Sequence, residues 1–243
     1  MIATINAERI KLTSTRSPYW CVGIVVLLAL GLAALLSSGG GSLPVDNAAY
    51  FFLYGLNQFG VAVLTIMAIL GITTEYRFGT IRSSFAATPR RWRVLAAKGA
   101  VFGGVGFVVA LILTVIGLLI AQGIWVDGVD WGTSDTIRQI WGTPVFVACS
   151  MLIGIAVGAL IRQTAGAVTI MLVWMLLLEN LITIIPKVGE HVQPFLPFTN
   201  GWRFLSGGGG DFHWNIYGSL IYFVVFTAVL FGAAIAAVNA RDA

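Results

Sequence analysis

Six apolar runs, each close to the length of a bilayer-crossing helix, dictate what this chain can fold into. They cover residues 18–36, 51–73, 94–122, 144–161, 165–185 and 215–238 of the 243. A hydrocarbon core ~30 Å thick takes about 20 apolar residues as helix, and within it every backbone polar group must be satisfied inside the segment. Membrane strands would alternate apolar and polar residues over about ten positions, and the runs show no alternation. Only 10% of the residues are charged, against about 25% in a soluble domain. The expected fold is an all-α integral membrane protein, one domain over 1–243 with six transmembrane helices. The third run would reach ~43 Å as helix, so it tilts or begins outside the hydrocarbon. The first follows a polar segment, and Leu36-Ser37-Ser38 makes a poor cleavage site, so the run is expected to be retained.

Orientation follows from Lys and Arg, which favour the cytoplasmic side. With the N-terminus inside, the inner segments hold Arg9, Lys11, Arg16, Arg77, Arg82, Arg90, Arg91, Arg93, Lys98, Arg162 and Arg241. The outer segments keep only Arg138, Lys187 and Arg203, beside most of the acids. Both termini are therefore expected inside. The basic balance then reflects topology and contact with anionic headgroups, not nucleic-acid binding. Cys21 falls at the inner end of its run and Cys149 in the outer part of its own, on opposite sides of the bilayer, so they cannot pair.

Residues 1–17 read as an interfacial helix, with Ile2, Ile5 and Leu12 on one side and Ala3, Ala7 and Ile10 on another, and with Lys11 and Arg16 snorkelling to headgroups. The outer loop 123–143 is acidic and carries Trp125, Trp131 and Trp141, a pattern typical of the membrane-interface belt. The connection 186–214 is rich in aromatics among prolines and glycines. It reads as short helices on or dipping into the outer leaflet, a re-entrant or interfacial segment. Small residues four apart, Gly99 and Gly103 in run three and Ser150, Gly154 and Gly158 in run four, let helix backbones approach closely.

Familiar hydrolytic and nucleotide motifs are missing. His191 and His213 lie in the last outer connection, and the chain has no H-E-x-x-H, no G-x-S-x-G and no G-x-x-x-x-G-K-[ST]. No catalytic, cofactor or metal residue is assigned, and any ATP used is bound by another polypeptide. Within the runs, Asn57, Gln58, Glu179 and Asn180 are the polar candidates for a substrate path or a subunit contact. For Glu179 a second reading is a carboxylate that reaches the outer interface.

The connector 73–98, TTEYRFGTIRSSFAATPRRWRVLAAK, holds six basic residues between two apolar runs. Gly79 can end span two, Thr80 is a plausible N-cap, and Pro89 stops whatever helix follows. Residues 80–87 then form a short helix of ~12 Å, with Phe78, Ile81 and Phe85 along one apolar stripe. Arg90, Arg91 and Arg93 meet the headgroups.

Glu75 at the end of span two, Gly79-Thr80, Pro89-Arg90 with Arg91, and Lys98 opening span three together resemble the membrane permeases of type-2 ABC exporters. Ala87-Thr88 departs mildly from the small residue usual before the proline. The resemblance implies that two permease subunits, identical or related, pair in the cytoplasmic membrane above two ATP-binding subunits that hold ATP and Mg. It implies that residues 80–87 form the coupling helix, with Glu75, Gly79, Thr80, Ile81, Arg82, Phe85, Pro89, Arg90 and Arg91 at the ATPase contact. Glu75 would steady that helix through Arg77 or Arg82, exposed pairs worth ~0–1 kcal/mol each. The expected cargo is amphiphilic or lipid-like: a drug, an antibiotic peptide or a lipid. Two other classes stay open, a non-transporting membrane partner (sensory or assembly subunit) and a secondary carrier or channel.

Overall fold

The computed structural model describes residues 1–39, 48–87, 90–125 and 128–241. The N-terminal helix is α1 (Ile2–Ser14), and α2 (Ser17–Ser38) is the first span. Helix α3 (Ala48–Phe52) leads through a π-helical turn (Gly55–Gly60) into α4 (Val61–Arg77), which together make span two. Helix α5 (Thr80–Ala87) stands alone before the long α6 (Trp92–Ile124), and α7 (Ser134–Ile161) is span four. Span five comprises α8 (Thr164–Leu172), a π-helical turn (Val173–Leu178) and α9 (Glu179–Ile184). Then come α10 (Val188–Val192), a 3-10 turn (Gln193–Phe195), α11 (Pro197–Ser206) and α12 (Ile216–Arg241). Among the described residues six helical stretches are long and apolar enough to cross a membrane. The chain is thus a multi-pass helical membrane protein.

Five spans begin and end within a few residues of the apolar runs. Span four does not: α7 starts at Ser134, ten residues before the apolar run, and Pro144 lies inside it. Proline removes one backbone bond without ending a helix that is held at its start by other means. Here the Thr133 hydroxyl accepts from the Thr136 amide at 3.3 Å, and Asp135 sits in the first turn. The added turns are polar because they face α11. Arg138 and Gln139 are buried there, donating to the Leu205 carbonyl at 3.5 and 2.6 Å, and Arg138 pairs with Asp135. Arg138 is therefore not a loop cation, and 134–143 is not loop.

Spans two and four form the centre of the bundle. Of their most apolar stretches 67% and 72% is buried, against 22% for spans one, five and six. The small residues on α7 explain the closeness. An ideal Cβ on Gly154 would lie 2.9 Å from Thr65 Cγ2 and 3.1 Å from the Thr65 carbonyl, and one on Gly158 would lie 2.6 Å from Ile72 Cγ2. Gly99 of α6 instead makes room for Phe231 of α12.

Asn57 and Glu75 mark the two ends of span two, ~27 Å apart at helical rise. At the Asn57 end, segment 186–214 folds back on the spans. Phe198, Phe204 and Leu205 are fully buried and Leu196 nearly so, whereas Phe195 points out. Trp125 is also buried, edge-on to Phe52 at 5.1 Å, and so does not join an interface belt. Trp131 and Trp141 are exposed. Four consecutive glycines, 207–210, all take positive φ, and this turn, which side chains would strain, joins α11 to α12.

Candidate functional site

At the Glu75 end, four charged side chains from three helices converge in one cluster. Helix α1 supplies Glu8 and Lys11, which share a face because they are three residues apart. Helix α4 supplies Glu75 in its last turn, and α6 supplies Lys98 in its second. Lys98 Nζ is 2.5 Å from Glu8 Oε2, 3.0 Å from Glu75 Oε1 and 3.1 Å from the Gly71 carbonyl. Lys11 Nζ is 2.7 Å from Glu8 Oε1, 3.0 Å from Glu75 Oε1 and 3.1 Å from Ser84 Oγ of α5. An ammonium has three protons to donate, and each lysine has three acceptors. Glu8 uses both oxygens and Glu75 only one; Glu75 Oε2 is buried and has no hydrogen-bond partner among the described residues.

Glu8 and Lys98 are 2% and 1% exposed, so this pair is shielded from solvent. Gly71 opens the space: an ideal Cβ there would overlap the Phe102 ring, over which Lys98 Nζ lies at 5.7 Å. Lys11 is 42% exposed. Burial alone would lower its pKa, but the carboxylates of Glu8 and Glu75 outweigh that and hold it above the ordinary lysine value of 10.5.

Several sequence expectations change here. Lys11 turns inward to two carboxylates rather than snorkelling, and Glu75 takes Lys11 and Lys98 as partners. Glu8 was not singled out by sequence at all. It centres the buried face of α1, flanked by Ile5 and Leu12, while Ile2 and Ile10 are exposed.

Helix α5 occupies the expected residues 80–87. Gly79 has φ +71°, which ends α4 and turns the chain. Thr80 is not an N-cap: it is the first helical residue, and its hydroxyl donates toward the Glu75 carbonyl at 3.5 Å. The apolar stripe divides. Ile81 is buried and Phe85 packs against the core beneath the Arg91 guanidinium, whereas Phe78 is 71% exposed. Ser83 and Arg90 are exposed. Pro89 and the Arg82 side chain lie outside the described residues. The turn at 162–164 reaches the same end, where Arg162 stacks on Tyr76 and Thr164 donates to Thr73 at 3.0 Å.

The polar residues at the opposite end mostly hold structure together. Glu179 is fully buried, its carboxylate accepting from the Phe198 amide at 3.2 Å and from the Thr199 amide and hydroxyl at 2.6 and 2.9 Å. A carboxylate facing the first amides of α11 complements that helix's N-terminal partial charge. Glu179 therefore does not reach the outer interface. Asn57 donates to Gln139 at 3.1 Å, accepts from Thr143 at 3.0 Å and through its carbonyl meets the Trp202 indole at 3.4 Å. Gln58 is half-buried, and Asn180 is exposed, donating to its own helix at Leu176. Only Asn180 of the four faces outward. The sequence matches no model of a known protein family and no curated protein.

Proposed function

We propose that this chain is the membrane permease subunit of an ATP-driven exporter, moving an amphiphilic or lipid-like substrate out across the cytoplasmic membrane. On this reading α1 lies along the inner leaflet, α5 is the coupling helix, and both termini are cytoplasmic. Two such chains, identical or related, pair in the membrane over two ATP-binding subunits, which hold the ATP and Mg.

One observation carries the reading. A short helix between spans two and three is tied by Lys11 to α1 and to the base of span two, and the same cluster reaches span three through Lys98. A push on α5 would therefore be shared by α1, α4 and α6 together. The exposed apolar faces of spans one, five and six suit lipid and a second subunit.

The test is purification of the tagged chain from the cells that make it, followed by identification of what comes with it. A P-loop ATPase in the complex is the expected result. Ser83→Arg, on the exposed side of α5, should keep the complex but uncouple hydrolysis from transport. Solute movement by the purified chain alone, driven by an ion gradient in liposomes, would overturn the proposal.

A further inference from the structure

Where segment 186–214 meets α12, a guanidinium stands at the head of an apolar groove. The groove encloses about 520 Å³ along the first turns of α12. Trp214, Tyr222 and Phe226 stack down it as a ladder, with ring centroids 5.5 and 6.5 Å apart and planes inclined by 18° and 25°. Ile221, Val225 and Val229 lie beside them, exposed. Gly218 lets the indole lie down on the helix, since an ideal Cβ there would be 2.8 Å from Trp214 Cβ. From Gly218 to Val229 the groove runs ~16 Å at helical rise, against ~15 Å for one leaflet of a ~30 Å hydrocarbon core. Arg203 of α11 caps the Trp214 end. Its Nη1 donates to the Trp214 carbonyl at 3.2 Å and to Ser219 Oγ at 2.7 Å, and the same Oγ accepts from the Trp214 indole at 3.1 Å. Its Nε donates to the Gly209 carbonyl at 2.9 Å, and its plane rests on Phe212 at 4.1 Å.

We propose that this groove seats one phospholipid of the leaflet at this end, its phosphate on Arg203 Nη2 and one acyl chain along the Trp214–Phe226 ladder. Charge selects the head. The contacts of Arg203 fix the guanidinium, yet among the described residues they leave Nη2 without a hydrogen-bond partner and the charge without a carboxylate. Arg138, at the same end, is paired with Asp135. A guanidinium held in one orientation, with N–H donors to spare, suits a phosphate oxygen through a charge-assisted bond. Depth selects the rest of the ligand. A bilayer carries its phosphates directly above its chains, and Arg203 stands in that relation to a groove one leaflet long. A sugar headgroup offers hydroxyls but no charge to meet the guanidinium, and free phosphate has no chain for the ladder. The recognised group is the phosphate diester common to phosphatidylglycerol and phosphatidylethanolamine, so neither the glycerol nor the amine is selected.

The full chain is reconstituted into nanodiscs of digalactosyl diacylglycerol, which has chains but no phosphate. These are titrated with phosphatidylglycerol or phosphatidylethanolamine brominated on the chains, and with brominated host lipid as the reference. Bromine quenches tryptophan on contact, and the share of quenching lost in Trp214→Phe reports this groove alone, apart from the arginines at the Glu75 end. Half of that share should be reached at an about tenfold lower mole fraction for each phospholipid than for the brominated host. Arg203→Gln should bring the half-points together. Val225→Phe, which fills the groove and leaves the bonds of Arg203 in place, should do so too, and it decides the matter alone if Arg203→Gln does not fold. Equal half-points in the parent, a preference for phosphatidylglycerol only, or a preference kept in either folded variant would each overturn the proposal. Neither an ATPase nor transport enters the assay, so its failure is separate from failure of the export reading.

Discussion

Replacing Lys98 by methionine should be among the most damaging single changes near the cytoplasm-proposed end, and the geometry says by how much. At 2.5 Å from Glu8 and 3.0 Å from Glu75, an ammonium gains roughly 7 and 6 kcal/mol at an effective dielectric of about 20. Desolvation of the buried ions takes several kcal/mol of that back. Lys98→Met leaves Glu8 and Glu75 facing Lys11 alone, one buried carboxylate in excess, which typically costs about 3–5 kcal/mol. Glu8→Gln with Lys98→Met removes one charge of each sign. Neutral replacement of a buried pair is often tolerated, so the double variant should recover to within ~1 kcal/mol of the parent. Equilibrium unfolding in mixed micelles, followed by tryptophan fluorescence, reads both. If Lys98→Met alone stays within ~1 kcal/mol of the parent, or the double variant loses the sum of the two singles, the cluster is not the tie described.

Three further outcomes are expected. Glu179→Ala strips the acceptors from the Phe198 and Thr199 amides and should cost about 2–3 kcal/mol, with faster hydrogen exchange confined at first to α11. Gly154→Val drives a side chain against the Thr65 carbonyl; overpacking of this kind costs ~1–3 kcal/mol, seen as a lowered unfolding midpoint. The Lys11 pKa is raised in the folded protein, so its contribution is whole below the ordinary lysine value and is lost as pH climbs through the folded one. Stability scanned to alkaline pH should therefore sag, and Lys11→Met should flatten that limb.

Spans were legible because hydropathy alone identifies a segment that lipid can surround. The short helix at 80–87 was legible because Gly79 and Pro89 bound it locally in the sequence. Span four misled at its start for a related reason: Pro144 resembles a first-turn residue, and the true start is polar since Arg138 and Gln139 face α11 instead of lipid. The charge cluster was hardly legible. Glu8 and Lys98 lie 90 residues apart, and no local spacing connects them. A carboxylate at the centre of the buried face of α1 also weakened the apolar signal that would have revealed that face. Glu179 looked like an interface residue because its partners, the backbone amides of α11, have no sequence signature.

The bond between Glu8 and Lys98 also imposes an order on biosynthesis. The buried partner of Glu8 is made 90 residues after it, a delay of roughly 5–20 s at ordinary translation speeds of about 5–20 residues per second. Throughout that interval the Glu8 carboxylate has Lys11 beside it but not the buried ammonium of Lys98. Helix α1 is thus fastened to α6 only after the two spans between them have been made.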